Sequence, residues 1–260
     1  MIDNLHSLLH ELSKNIQSKI TEVIPKRNKL SYTAFKSLLD SQAQEAIVEI
    51  LREKKVDAKL ISEEGDLQFG DEKYIITADP VDGTTNLSRG LQPSVLSISV
   101  ATEPNQNSVI ASIVTNFYTG ETYYAEKNRG ASLEEFPIKP AKYCPYKDSL
   151  IGLDLSKKPD LDKTYRLILE SNHIREEGCS ASSLCHVADG TLDAHIDVRN
   201  MVRATDISAG LFIIREAGGI YSVNRKIFGD LQLARDSNCE VVAASTRKLH
   251  DEILRIIEKE

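Results

Sequence analysis

Residues 74–90 read YIITADPVDGTTNLSRG, and the reading of this stretch organises the rest of the chain. A short apolar run delivers two aspartates, Asp79 and Asp82, and the backbone is then freed at Gly83. Carboxylates at the end of a buried strand are costly unless something compensates their charge. Pro80 fixes one φ between them and Gly83 permits a sharp bend after them, so a tight turn can bring both side chains and the carbonyl of Val81 to one side. Hard oxygen atoms converging in this way suit Mg²⁺, whereas the plainer alternative is a pair of turn and cap residues. Gly83-Thr84-Thr85-Asn86 reads as the opening of a helical turn whose free N–H groups can hold phosphate. Cation ligands and anion ligands within one turn favour a metal-phosphate site.

Working outward, the apolar residues Ile2, Leu5, Leu8, Leu9, Leu12, Ile16, Ile20 and Val23 recur at helical spacing up to Pro25. A second helix is expected from Ser41 to Lys54, after a polar, lysine-rich loop, PKRNKLSYTAFKS. Downstream of the quoted stretch, SVLSISVA and SVIASIVT alternate, and FYTGETYYAEKNRGA reads as a hairpin closed at Thr119-Gly120 and followed by a second turn at Asn128-Arg129-Gly130. Strands joined by short turns favour an antiparallel sheet in the first half. The second half alternates instead. Strands are expected at 150–155, 192–198 and 240–244, and helices at 161–171, 180–188, 206–217 and from Thr246, which is an α/β pattern. Proline density at 137–145 sets the expected division into an α+β half, residues 1–140, and an α/β half, residues 141–260.

The bulk composition removes several function classes. With 41% apolar and 27% charged residues among 260, the chain reads as globular. A net charge of −7 argues against nucleic acid or an anionic membrane as partner, because such binders carry a basic face. The N-terminus lacks the basic and apolar regions of a signal peptide. No apolar run approaches the ~20 residues that span a bilayer, so the expectation is a soluble, cytoplasmic protein. Cys144, Cys179, Cys185 and Cys239 form no CxxC pair and read as reduced thiols. His6 and His10 stand four apart on the first helix without an evident third ligand, and no Walker lysine motif occurs.

Two further acidic features can complete the site. Ser62-Glu63-Glu64-Gly65 follows an apolar pair, so one glutamate can project inward from the turn. Asp206 reads as the N-cap of the helix ISAGLFIIREAGG. Taken with DPVDGTTN, these segments resemble the inositol monophosphatase family of Mg²⁺-dependent, lithium-sensitive phosphatases, and the similarity runs in order from about Ile2 to the C-terminus. The resemblance implies a layered αβαβα sandwich, a homodimer, and two or three Mg²⁺ ions, with Mn²⁺ as a substitute. It implies that Glu63, Asp79, the Val81 carbonyl, Asp82 and Asp206 hold the metals, and that Gly83 and Thr84 present amides to phosphate. Thr84 with Asp40 then orients the attacking water. Around Asp40 the sequence departs from the family, since residues 34–39 read AFKSLL where a further Asp and Thr are usual.

The alcohol side of the substrate falls to the second half. Gly178, Cys179 and Ser180 match a substrate-touching segment of the family. Arg199 stands where inositol-selective members carry a glutamate, and Thr205 stands where they carry tryptophan. Asp197, Arg199 and Arg203 resemble archaeal members that hydrolyse both inositol-1-phosphate and fructose 1,6-bisphosphate, and arginine there suits a second phosphate. The expected function is therefore a dual-specificity phosphomonoesterase, with a 3′(2′)-nucleotide or NADP phosphatase as the alternative and a non-catalytic regulatory protein as the third reading.

Overall fold

The computed structural model describes residues 4–157 and 159–258. Ile2, expected on the first apolar stripe, lies outside them. Helix α1 (Leu5–Val23) starts where the side-chain oxygen of Asn4 accepts the N–H of Ser7 at 3.0 Å, and it buries Leu8, Leu9, Leu12, Ile16, Ile20 and Val23. Helix α2 (Tyr32–Glu53) begins at Tyr32 rather than Ser41. Ser31 caps it by accepting the N–H of Ala34, and Phe35 and Leu39 extend the buried line of Ala43 and Ile47 by two turns. The expected lysine-rich loop thus shrinks to a 3₁₀ turn, Ile24–Lys29, and the short connection after it.

The first half continues with β1 (Ala58–Ser62), β2 (Leu67–Phe69), β3 (Tyr74–Asp82), α3 (Thr84–Arg89), β4 (Val95–Ala101), β5 (Val109–Asn116), β6 (Thr122–Glu126), β7 (Gly130–Leu133) and β8 (Phe136–Pro137). These strands form one sheet in the order β2-β1-β3-β4-β5-β6-β7-β8. The expected hairpin pairs β5 with β6, and the expected second turn leads into a further antiparallel pair, β6 with β7. β1 runs parallel to β3, the exception in an otherwise antiparallel sheet. The tight turn expected at Asp79–Asp82 is instead an irregular stretch of β3, where the register against β4 shifts. Pro80 has no N–H to give the ladder, so the strand kinks there rather than stopping.

The second half comprises β9 (Leu150–Leu153), α4 (Leu161–Glu170), β10 (His173–Arg175), α5 (Ser180–Asp189), β11 (Ala194–Arg203), α6 (Ala204–Ala217), β12 (Ile220–Val223), β13 (Lys226–Ile227), β14 (Asn238–Ala244) and α7 (Arg247–Glu258). Its sheet order is β10-β9-β11-β14-β12-β13. Only β9, with β10 and β11, pairs in parallel; β11–β14, β14–β12 and β12–β13 are antiparallel, so this sheet is mixed.

Three apolar cores bind five layers together, one of them on both faces of the middle layer. α1 and α2 cover one face of the first sheet, packing on Ile76, Leu96, Ile98 and Ile113. α5 and α6 lie between the sheets, against Val95 and Val114 on one side and Tyr221, Val241 and Ala243 on the other. α4 and α7 cover the outer face of the second sheet around Ile196 and Val242. This is the αβαβα sandwich, and it explains why every residue of β4 is buried. Gly210 sets the spacing of the middle layer, because a Cβ there would lie 2.7 Å from the Cβ of Leu184. Among the described residues, no helix is long and apolar enough to cross a membrane, and all four cysteines are free.

Candidate active site

The ends of β1, β3 and β11 and the starts of α3 and α6 open onto one cleft of about 420 Å³. Glu63 enters directly after β1, and Asp79, Val81 and Asp82 enter from the irregular end of β3. Asp206 enters from the first turn of α6. Carboxylate oxygens of Glu63, Asp79 and Asp206 lie within 4.8 Å of one another. That all-oxygen group has the donor chemistry of a hard divalent cation. Glu63, rather than Glu64, is the member of the acidic pair that joins it.

The electrostatics of this group call for a cation. Asp79 is 3% exposed, and burial, then Asp82, Asp206 and Glu63, hold its carboxyl far above the usual range. One of its oxygens accepts the N–H of Val81 at 3.0 Å. Burial and the charge of Asp206 push Asp82 up to about 7. Asp82 Oδ2 accepts from Ala181 N at 2.8 Å and from Cys179 Sγ at 3.3 Å, while Oδ1 has no hydrogen-bond partner among the described residues.

Asp206 is not the N-cap of its helix. β11 runs straight into α6, the cap is Arg203, and Asp206 sits in the first turn. Its carboxylate reaches back, Oδ2 accepting the N–H of Arg203 at 3.1 Å and Oδ1 the hydroxyl of Thr205 at 2.9 Å. Gly83 holds φ at +79°, and a Cβ there would meet the Pro93 oxygen at 2.9 Å, so only glycine suits the entry to α3. Thr84 lines the cleft and donates its hydroxyl to the Val81 carbonyl at 2.9 Å.

Asp40 lies partly buried in α2, and burial followed by Glu64 and Glu63 raises its pKa to about 6. Among the described residues no hydrogen bond joins it to Thr84, and the cleft wall on this side is Lys36, one helical turn earlier. Gly178 and Ser180 also line the cleft. Cys179 does not: it is buried, its thiol turned to Asp82.

Arg199 lines the cleft, but its donors are committed to the protein. Nε and Nη2 grip Asp197 at 2.9 and 2.6 Å, Nη2 lies 3.3 Å from Asp154, and Nη1 holds the carbonyl and hydroxyl of Ser156 at 2.7 and 2.9 Å. Asp197 is fully buried beneath it. The pair is a clamp between β11 and the segment after β9, which leaves no free guanidinium edge for a second phosphate.

The inositol monophosphatase family model matches residues 3–260. The chain belongs to the inositol monophosphatase family. It is 32% identical over 234 residues to a fructose-1,6-bisphosphatase/inositol-1-monophosphatase of Methanothermobacter thermautotrophicus, covering 85% of this chain and 82% of that protein. It is 36% identical over 231 residues to a bifunctional NADP phosphatase/NAD kinase of Methanococcus maripaludis, covering 78% of this chain and 39% of that protein. A solved Pyrococcus horikoshii protein, described as similar to inositol-1 monophosphatase, superposes with a TM-score of 0.83 at 23% identity over 100% of both chains.

Within this inositol monophosphatase cleft, Lys36, Asp154, Ser156, Lys157 and Glu176 had not been anticipated. Asp154 carries a signal of the same kind as Asp79, a carboxylate delivered by a buried strand, here LIGLD. It accepts the Ser180 hydroxyl at 2.9 Å and faces Arg199 and His195. Lys36 could be found from its position four residues before Asp40, once α2 is extended through it.

Proposed function

We propose that this family member is a Mg²⁺-dependent phosphomonoesterase that hydrolyses inositol-1-phosphate and fructose 1,6-bisphosphate. The observation that carries the reading is the convergence of Glu63, Asp79 and Asp206 beside the start of α3. Glu63, Asp79, the Val81 carbonyl, Asp82 and Asp206 would hold two or three Mg²⁺ ions, Mn²⁺ being the closest substitute. When bound, the ions supply Lewis-acid stabilisation of phosphate charge and an activated water.

The chain's own groups do the rest. Gly83 and Thr84 fix the phosphate by their amides, and the bond from Thr84 to Val81 keeps that corner rigid. Asp40, with its pKa near 6, is suited to accept a proton and, with Thr84, to orient the attacking water. No side chain is required as a covalent phosphate carrier. Gly178, Ser180 and Lys157 face the alcohol portion. The reading extends to a cytoplasmic homodimer in which residues 1–140 and 141–260 act as two halves of one catalytic unit.

The Methanococcus relative supports a second reading, a phosphatase for NADP or for 3′(2′)-nucleotides. The intact carboxylate group argues against a non-catalytic regulatory role. Phosphate release should be measured on inositol-1-phosphate, fructose 1,6-bisphosphate, adenosine 3′,5′-bisphosphate and NADP, with and without chelator. Turnover of the first two that disappears with chelator is expected. Predominant turnover of the nucleotides would replace the first reading by the second, and no turnover of any would reject both.

A further inference from the structure

Arg203 ends β11 and directs its guanidinium into the carboxylate group. Nη2 lies 2.9 Å from Glu63 Oε1 and 2.9 Å from Asp206 Oδ1, and Nε lies 3.2 Å from Asp206 Oδ2. A carboxylate offers about four acceptor positions, two on each oxygen. On Asp206 all of them are filled. Oδ1 takes Arg203 Nη2 and the Thr205 hydroxyl, and Oδ2 takes the N–H and Nε of Arg203. Two of the three members of the carboxylate group are therefore already paired with one cation supplied by the chain.

A divalent ion approaching these oxygens meets both a filled ligand and a like charge. We infer that Arg203 is a displaceable internal cation, which neutralises Glu63 and Asp206 and competes with the metal for them. The backbone N–H and the Thr205 hydroxyl stay on Asp206 whatever the Arg203 side chain does, so withdrawal of the guanidinium frees one position on each oxygen without loosening the helix start. The side chain is 29% exposed and lines the cleft, which gives it somewhere to go. Arg203 thus acts on metal affinity through its partners, as a positioning residue rather than a catalytic one. The inference rests on the metal-dependent reading above.

The test is metal binding by the full chain in the absence of substrate. Chelator-treated wild type, Arg203→Gln and Arg203→Lys are titrated with Mn²⁺ alone, and free Mn²⁺ is followed by electron paramagnetic resonance. Removing a unit charge this close should tighten the first Mn²⁺ by roughly tenfold or more in Arg203→Gln. Arg203→Lys, which keeps the charge but cannot fill three oxygens at once, should tighten it less. In chelator the melting temperature of Arg203→Gln should fall, and Mn²⁺ should restore it. Unchanged or weaker Mn²⁺ binding in both variants, against a wild type that binds, would overturn the inference alone. Absence of Mn²⁺ binding by wild type and both variants would overturn it together with the metal-dependent reading.

Discussion

The thiol of Cys179 lies 3.3 Å from Oδ2 of Asp82, and the N–H of Ala181 reaches the same oxygen at 2.8 Å. A carboxylate at the end of β3 is thereby held by the start of α5, so the last residue of a first-half strand depends on the second half. These donors favour the charged form, but burial and Asp206 outweigh them and leave the carboxyl near 7. Asp82→Asn keeps an oxygen for Ala181 and removes the charge. The variant should lose metal-dependent phosphate release while gaining stability in chelator at about pH 8, by about 1–4 kcal/mol if each pKa unit counts for about 1.4 kcal/mol. Thermal denaturation beside a phosphate assay checks both halves. A lower melting temperature would mean that the buried charge is not a net cost.

Raised carboxyl pKa values also set the direction of a pH effect. Asp82 moves from 3.8 to about 7, and Asp79 moves the same way. Between those limits the folded chain binds more protons than the unfolded one, so stability falls as pH rises. Metal must displace those protons, and its stabilisation therefore grows over the same range. The melting temperature in chelator should drop between about pH 5 and about pH 8, and the increment from added Mg²⁺ should widen. An increment equal at both pH values would contradict the linkage.

The carboxylate side of the cleft was legible because it is local. Asp79, Val81, Asp82, Gly83 and Thr84 fall within one strand-to-helix passage, so their residue types announced the convergence even though a strand irregularity, and not a tight turn, produces it. The same directness failed where no breaker marks a boundary. β11 becomes α6 without a turn, so Asp206 was expected at the cap and Arg203 holds that position. In α2 the early apolar residues Ala34, Phe35, Leu38 and Leu39 do follow helical spacing, but they stand among Lys36, Ser37 and Asp40 in a stretch whose lysines read as a loop. On the second-half wall of the cleft the charge of Arg199 was visible, but Ser156, 43 positions away, and Asp154 were not, and those partners decide what the arginine is free to do.

Arg199 is accordingly expected to matter for stability first. Its side chain is 8% exposed, and truncation leaves Asp197, which is 0% exposed, without its cation. Arg199→Ala should cost about 3–5 kcal/mol, the range for breaking one partner out of a buried pair. Arg199→Lys should recover little, because an ammonium cannot reproduce the fork that spans Asp197, Asp154 and Ser156. Activity per folded molecule should fall for inositol-1-phosphate and fructose 1,6-bisphosphate together. A loss confined to the bisphosphate, with the melting temperature unchanged, would return Arg199 to the role of second-phosphate ligand.

A second ion pair supports the loop that leads into α5. His186 Nδ1 lies 3.1 Å from each oxygen of Glu177, Ser183 donates to Glu177 at 2.8 Å, and the Glu177 carbonyl accepts Asn86 Nδ2 at 2.8 Å. Burial opposes the charge on His186, yet the bond and charge of Glu177 carry its pKa above 6.5. Burial likewise opposes the charge on Glu177, and His186 with Ser183 holds it below 4.5. The histidine's contribution is complete below 6.5 and is lost as pH rises through the higher folded value. The glutamate's is complete above 4.5 and is lost as pH falls through the lower one. The pair therefore stabilises most between 4.5 and 6.5. The difference in melting temperature between wild type and His186→Ala should be largest there and shrink as pH rises through the folded value, and the His186 ring protons should titrate above 6.5 by nuclear magnetic resonance. Because Gly178 follows Glu177 and lines the cleft, His186→Ala should raise KM more than it lowers kcat. A titration at or below 6.5 would show that Glu177 does not hold the imidazolium, and the loop would then owe its position to Asn86.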